Sequence, residues 1–232
     1  MEHRVQRLSL DLIYNHVVVR YPMKLILMQF LSLDGVAQGP GGPDEDTTDG
    51  FTGGGWFVPH VDETFMRLVT EWIREADGFL LGRRTYEAFA RDWPKATDPD
   101  DEVARQLNGR AKYVASQTLR TGDWAPTTVL SGDVAAQVAE LKRQPGRELQ
   151  IHGSARLAQS LLAAGLIDEL RLIIAPVVVG AGRRLFPDGG TPAGLRLTRH
   201  ESTPSGLAIH FYEPTGAPTT DTLHTDDPRR RV

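Results

Sequence analysis

The chain has no cysteine among its 232 residues. That excludes a disulfide framework, a thiolate nucleophile and cysteine-ligated zinc, and it fits a reducing, cytoplasmic setting. Positive charge is not in excess either: 26 Lys and Arg stand against 30 Asp and Glu, for a net charge of -4. A nucleic-acid partner calls for the opposite balance, so none is expected. No apolar run reaches the roughly 18 residues of a membrane span, so no membrane partner is expected. The first 22 residues lack an uninterrupted apolar segment and a small-residue cleavage site, so they do not read as a signal peptide. No repeat of solenoid period is present. His60 and His152 stand alone without metal-ligand spacing, so no metal is expected. What is present is ordinary: 40% hydrophobic and 24% charged residues, enough for the core of one large domain.

Residues 1–22 read as an N-terminal extension. Leu8 to Val19 is either an extra strand or helix or sequence translated upstream of Met23, and the second reading is preferred because a far more regular stretch begins at Met23. Lys24 to Leu33 is a nearly continuous apolar run ending at Asp34-Gly35, as in a buried strand that feeds a turn. A glycine-, proline- and acid-rich stretch from Gly39 to Gly55 follows, long enough to be a functional lid or a disordered insertion. Asp62 caps a helix with Phe65, Leu68, Val69, Trp72, Ile73 and Ala76 at helical spacing. Gly78–Leu81, Ala111–Ser116, Thr127–Leu130 and Glu148–His152 read as strands. Helices follow Gly82, Asp133 and Gly153. Leu170, Leu172 and Ile174 alternate with polar residues, and a hairpin forms about Pro204-Ser205-Gly206. The expected domain is α/β over residues 23–214, with a mostly parallel mixed sheet, an antiparallel C-terminal hairpin and helices on both faces. Residues 215–232 are polar and proline-containing and are expected to be a disordered tail, with Arg229 to Arg231 solvated.

Two strand-to-helix junctions offer chemistry. Gly82-Arg83-Arg84-Thr85 combines a glycine, which lets the backbone approach a ligand, with helix N–H groups that attract an anion, two cations and a hydroxyl. Gly153-Ser154-Ala155-Arg156 has the same construction. Two such junctions suit a dinucleotide with separated phosphates, although a glycine between strand and helix is also commonplace in purely structural roles. Ser116-Gln117-Thr118 ends a strand with donors that either hold a ribose phosphate or form a plain polar turn. His152 reads as a satisfied structural histidine. Arg183-Arg184 reads as a solvated loop face rather than as an anion contact.

The order of these pieces resembles the dihydrofolate-reductase-like family, and within it the C-terminal reductase domain of the bifunctional riboflavin-biosynthesis deaminase/reductase. The likeness covers about Met23 to Pro214. It rests on Ser32-Leu33-Asp34-Gly35, the GRRTYEAF run from Gly82, Ser116-Gln117-Thr118, and HGSARLAQSLLAAGLIDELRLIIAPVVVGAGRRLF from His152. The resemblance implies NADPH as cofactor. Gly82, Arg83, Arg84 and Thr85 would face its phosphates, with Ser116 and Gln117 flanking the 2′-phosphate. Gly153, Ser154, Ala155 and Arg156 would hold the pyrophosphate. Here the chain departs from dihydrofolate reductases, which carry Gly-Gly where it has Gly153-Ser154. Trp56-Phe57-Val58-Pro59 resembles the Trp-x-x-Pro before the substrate helix of those enzymes. That nominates Trp56 to stack on substrate and Asp62 or Glu63, beside the aligned position Val61, as the acid; Asp34 is a further candidate. The structural alternatives are that Asp62 only caps its helix, Asp34 only shapes a turn and Trp56 is core.

The implied function is hydride transfer from NADPH to a small heterocycle, pyrimidine- or pterin-like, or to a sugar-phosphate-linked substrate, in a homodimer. The companion deaminase needs a Pro-Cys-x-x-Cys zinc signature, which a chain without cysteine lacks. The alternative is a non-catalytic nucleotide-binding or dimerisation protein that keeps the fold.

Overall fold

The computed structural model describes residues 21–222, so the expectations for residues 1–20 and 223–232 lie outside the described residues. A central parallel strand is covered on both faces and therefore carries a continuous apolar run. In β1 (Lys24–Ser32) only Lys24 is exposed. Next come α1 (Glu63–Glu75), β2 (Ala76–Gly82), α2 (Arg83–Asp92), α3 (Glu102–Gly109), β3 (Ala111–Ala115) and β4 (Thr127–Leu130). The chain continues through α4 (Val134–Arg143), β5 (Glu148–His152), α5 (Ala155–Ala163), β6 (Glu169–Ala175), β7 (Gly194–Ser202) and β8 (Ala208–Gly216). The eight strands form one sheet in the order β4-β3-β2-β5-β1-β6-β8-β7. Pairings from β4 across to β6 are parallel, and β8 runs antiparallel to both β6 and β7. This is the mixed sheet with a C-terminal hairpin that the sequence pattern implies.

Alternation along β1 divides the core. Leu25, Leu27 and Leu31 pack with Val138 and Leu141 of α4 and Ala158 and Leu161 of α5. Ile26 and Met28 point the other way, into Phe65, Leu68 and Trp72 of α1. On that same face Phe79, Leu81 and Val114 meet Tyr86 of α2 and Val103 and Leu107 of α3. The chain leaves β1 through α1 toward β2 but leaves β5 through α5 toward β6, in opposite directions along the sheet. Right-handed crossovers then place the two helices on opposite faces. The crevice beyond the strand ends at this reversal is where an open α/β sheet binds ligands.

Helix starts follow the aspartates. Asp62, Asp101 and Asp133 each accept the backbone N–H three residues on, at 2.8, 2.9 and 2.9 Å. The sequence pattern marks no element between residues 91 and 110, yet α3 forms there, capped by Asp101 with Val103, Ala104 and Leu107 buried. Its eight residues are too short to display a periodic stripe. β8 ends at Gly216, two residues past the expected domain end, with Gly216 paired to Gly194.

The end of α3 is held by a buried lysine. Lys112 Nζ donates to the carbonyls of Leu107, Asn108, Arg110 and Ala125 at 2.8–3.1 Å and lies 4.3 Å above the Trp124 ring. Burial pushes its pKa down to about 8, which leaves it charged at neutral pH. Lys112→Met keeps the stem but strands those carbonyls. It should cost about 2–4 kcal/mol of unfolding free energy, read as a lower urea midpoint. An unchanged midpoint would show that water satisfies them.

Candidate functional site

A cleft of about 1510 Å³ opens at the C-terminal ends of the parallel strands. The groups expected around a cofactor's phosphates, namely Gly82 to Thr85, Ser116 with Gln117, and Gly153 to Arg156, all line it. The two junctions touch each other. Ser154 Oγ accepts from Gly82 N at 2.8 Å and donates to the His152 carbonyl at 3.0 Å. Its hydroxyl is thereby spent on the junction, and no side chain caps α5. Gly153 and Ser154 have φ of 55° and 58°, two successive left-handed residues. That conformation costs a serine on the order of 1–3 kcal/mol and turns the chain so that the first N–H groups of α5 start at the cleft. Among the described residues the cis bond is Ala125–Pro126, so Gly153–Ser154 is trans.

The cations of the cleft differ in their engagement. Arg83 is bonded to Glu87 Oε1 at 2.7 Å and to Thr118 Oγ1 at 2.6 Å, which places it beside Ser116 and Gln117. Arg84 and Arg156 line the cleft and form no ion pair among the described residues. Ser116 Oγ accepts from Thr118 N and Leu119 N, so its own proton is free to donate. Gln117 is bonded both ways to the backbone of Gly132, at 3.1 and 3.2 Å, and ties β3 to the segment after β4.

The opposite wall is the 39–55 stretch, and it is well tied. Arg183, expected on a solvated loop face, instead bonds Asp46, Thr48 and Asp49. The Gln38 side chain adds bonds to the Thr48 carbonyl at 2.9 Å and from Arg183 N at 3.0 Å. Arg184 is likewise engaged, with its Nε 2.9 Å from the Asp34 carbonyl. This wall brings Asp44, Glu45 and Asp46 to the cleft, facing Phe89 and Arg91 of α2. Glu45 accepts from Gly41 N. Burial pushes its carboxyl above the ordinary glutamate value, with the neighbouring Asp46 charge adding to the effect and Gly41 N–H and Arg91 opposing it.

His152 sits at the cleft floor, bonded to Gln150 Oε1 at 3.1 Å, with Phe79 and Phe89 edge-on at 5.4 and 6.4 Å. Burial, helped by the Arg171 charge, pushes its pKa down to about 4 and keeps it neutral.

The acids nominated for proton transfer lie outside this lining. Asp62 spends one oxygen on Phe65 N at 2.8 Å and the other on Ser205 N at 2.9 Å. It thus caps α1 and pins the β7–β8 turn, and the Phe65 bond leads in lowering its pKa. Asp34 accepts from Ser32 Oγ, Val179 N and Gly180 N at 2.6–3.0 Å. These bonds, Ser32's foremost, lower its pKa to about 2, the wrong direction for a proton donor. Glu63 is an exposed residue in the first turn of α1. Trp56 is core: 8% exposed, edge-on to Phe57, its Nε1 donating to the Gln38 carbonyl at 2.8 Å. Phe57 in turn stacks on Phe30 at 4.3 Å, so aromatic side chains of the protein fill this side of α1. We expect Asp62→Ala to lower the melting temperature and Asp62→Asn, which still caps, to lower it less. Neither should alter cofactor affinity in a fluorescence titration; a weakened cofactor would put Asp62 back at the site.

Gln29 and Glu45 line the cleft and were not among the expected site residues. Gln29 had a signal, being a lone amide inside an apolar strand. Glu45 had none, because no periodicity fixes where a loop carboxylate points. Among the described residues no three His, Asp or Glu side chains converge as a metal-holding group, and no helix is long and apolar enough to cross a membrane.

Comparison with known proteins agrees with this geometry. The chain is 30% identical over 167 residues to the uncharacterized protein YyaP of Bacillus subtilis (strain 168), covering 71% of this chain and 81% of that protein. Its fold is similar to that of a Shewanella sp. PV-4 protein named for riboflavin biosynthesis, with a TM-score of 0.58 and 22% identity over 83% of this chain and 99% of the other. It is also similar to dihydrofolate reductase from Enterococcus faecalis complexed with NADP(H), with a TM-score of 0.53 and 15% identity over 85% and 99% of the two chains. The model of the RibD C-terminal domain matches residues 23–209. The chain therefore belongs to the RibD C-terminal domain family, a reductase-like family with the dihydrofolate-reductase-like fold.

Proposed function

We propose that this chain is an NADPH-dependent reductase acting on a small planar heterocycle, pyrimidine- or pterin-like, or on a sugar-phosphate-linked one. The observation that carries the reading is the content of one cleft. It gathers two uncapped helix starts, two arginines without an ion pair among the described residues, and both apolar and acidic side chains. The donor set suits a phosphorylated dinucleotide. Arg84, Thr85, Arg156 and the first N–H groups of α5 would hold the pyrophosphate. Arg83, Ser116 and Thr118 would hold the 2′-phosphate. When bound, NADPH supplies the hydride.

The rest is done by the protein. Met28, Phe30 and Phe89 add apolar lining to the cleft, suited to a flat ring. Glu45, held protonated to higher pH than an ordinary glutamate, is placed in the same cleft to give a proton to the ring atom that gains electron density. Arg183 and Gln38 keep its wall in place.

The test has two steps. NADPH should quench or enhance the protein's fluorescence saturably, and it should be oxidised, by loss of its near-ultraviolet absorbance, in the presence of at least one member of a pyrimidine and pterin panel. Absence of NADPH binding would overturn the reading. Binding without turnover across the panel would favour a nucleotide-binding protein that keeps the fold.

A further inference from the structure

A chain of polar side chains runs beneath α1 and surfaces in the cleft at His152. Arg171, only 8% exposed, donates to Glu169 Oε1 at 2.6 Å and to both oxygens of Glu148, at 2.6 and 3.2 Å. Glu148 Oε2 accepts from Gln150 Nε2 at 2.7 Å, and the same nitrogen donates to the Trp72 carbonyl at 2.7 Å. Both of those partners can only accept, which turns the amide with its nitrogen toward them. The oxygen of this buried amide is left to meet His152 Nε2, at 3.1 Å. An amide oxygen cannot donate, so Nε2 carries the imidazole proton. The ring is uncharged at neutral pH, and Nδ1 therefore holds a lone pair.

That lone pair is not shut inside the protein. Nδ1 has no hydrogen-bond partner among the described residues, where the buried side-chain polar atom without a partner is Gln29 Oε1. Nδ1 thus keeps accessible surface, on a half-buried side chain that lines the cleft. Phe79 and Phe89 stand edge-on to the ring and fix its place. Phe89 is also part of the apolar lining, across the cleft from the wall that carries Glu45. Packing β5 against two phenylalanines needs only an apolar residue, with no buried charged chain behind it. An acceptor that stays unprotonated selects its ligand: it favours an N–H and rejects a lone pair.

We infer that His152 is a specificity-determining residue whose Nδ1 accepts an N–H from the edge of the heterocycle, and that Gln150 is the positioning residue that holds it in the Nε2–H tautomer. The inference rests on the heterocycle reading of the cleft and not on the identity of the cofactor. The probes are 2,4,6-triaminopyrimidine, which presents N–H groups, and 2,4,6-trimethoxypyrimidine, which presents lone pairs in the same pattern. In the full-length protein with NADPH present, nitrogen–proton correlation spectra of the imidazole should show Nε2 protonated and Nδ1 bare. The amino probe should move the Nδ1 resonance to lower frequency as the lone pair is engaged. Calorimetry should give about tenfold tighter binding of the amino probe than of the methoxy probe. His152→Phe should erase that preference and leave the methoxy affinity unchanged. Gln150→Leu should let the Nδ1–H tautomer appear and weaken the amino probe alone.

An Nδ1–H tautomer in the parental protein overturns the inference, and so does an Nδ1 resonance that the amino probe leaves in place; neither arm needs a variant to fold. Equal affinity for the two probes overturns it too, as does a preference that survives His152→Phe, because another acceptor must then read the N–H. Equal weakening of both probes by His152→Phe marks a structural role and is equally fatal. An unchanged tautomer in Gln150→Leu removes the positioning role of Gln150. A fluorescence titration with NADPH keeps the readings apart. If NADPH binds but His152 ignores the amino probe, this role fails while the cofactor reading stands. If His152 engages the probe and NADPH does not bind, the cofactor reading fails alone.

Discussion

Glu45→Gln should lower turnover by roughly 10²–10⁴-fold, the range for loss of a positioned general acid, while leaving NADPH affinity and the melting temperature unchanged. The cleft is lined by Asp44, Glu45, Asp46, Glu87 and Asp188. Asp46 is engaged by Arg183 and Glu87 by Arg83, so neither is free to cycle a proton without losing an ion pair. Glu45 is only partly exposed, and burial raises its pKa. A carboxyl whose pKa is raised keeps its proton to higher pH, and a donor works only while protonated. The rate should therefore fall as pH rises through the pKa of Glu45, above the ordinary glutamate range, and the fall should vanish in the glutamine variant. The groups facing it predict the direction of second-site effects. Arg91 opposes the rise, so Arg91→Ala should move the descending limb to higher pH; Asp46 reinforces it, so Asp46→Asn should move the limb to lower pH. If Glu45→Gln matches the parental rate and pH profile on a verified substrate, Glu45 is not the proton source. With Asp62 and Asp34 spent on structural bonds, a water or the substrate itself would have to supply the proton.

The parts of this site that were legible in the sequence are those set by short-range rules. A glycine between an apolar run and a helical pattern marks a strand-to-helix junction wherever it occurs, and both junctions formed at Gly82 and Gly153. Strand and helix order gave the sheet because parallel connections are right-handed and short-range caps are strong; Asp62 and Asp133 start helices as their spacing implies. What failed was everything that depends on where a loop folds back. Arg183 looks solvated from its glycine-rich neighbours, but it faces Asp46 and Asp49 more than 130 residues earlier. The Trp-x-x-Pro resemblance nominates Asp62 as an acid, while its actual partner Ser205, 143 residues distant, is invisible to any local pattern. Glu45 was passed over for the same reason. A carboxylate is chemically the same whether capped, paired or poised, and only tertiary contacts decide which of these it becomes. Gln29 is the instructive exception: an amide where a buried parallel strand should be apolar is a local anomaly, visible in the order of the residues alone.

NADPH should bind roughly 10- to 150-fold tighter than NADH, the equivalent of one charge-assisted bond of about 1.5–3 kcal/mol to the 2′-phosphate. The geometry divides the labour between the two adjacent arginines. Arg83 reaches Thr118 at 2.6 Å and so belongs with the Ser116–Thr118 turn, where only a 2′-phosphate would need a cation. Arg84 forms no close ion pair among the described residues, its charge reaching Asp46 only at longer range, and stands one residue further into α2, beside Thr85, whose side chain faces Gly153. Under the proposed function it would serve the pyrophosphate that both cofactors share. Arg83→Ala should therefore collapse the preference with little effect on NADH, whereas Arg84→Ala should weaken both cofactors alike and leave their ratio intact. The side chain of Arg83 is 47% exposed and already paired with Glu87, which screens and competes with the new contact, so the lower end of the range is expected. Glu87→Gln removes that competitor and a negative charge near the phosphate, and should raise the ratio. Titrations of all four proteins with both cofactors, repeated at high salt, read the outcome directly: the Arg83 contribution should shrink as ionic strength rises. Equal affinity of the parental protein for NADPH and NADH would remove the 2′-phosphate site, and with it the reason for an arginine at position 83 to meet Thr118 across the mouth of the cleft.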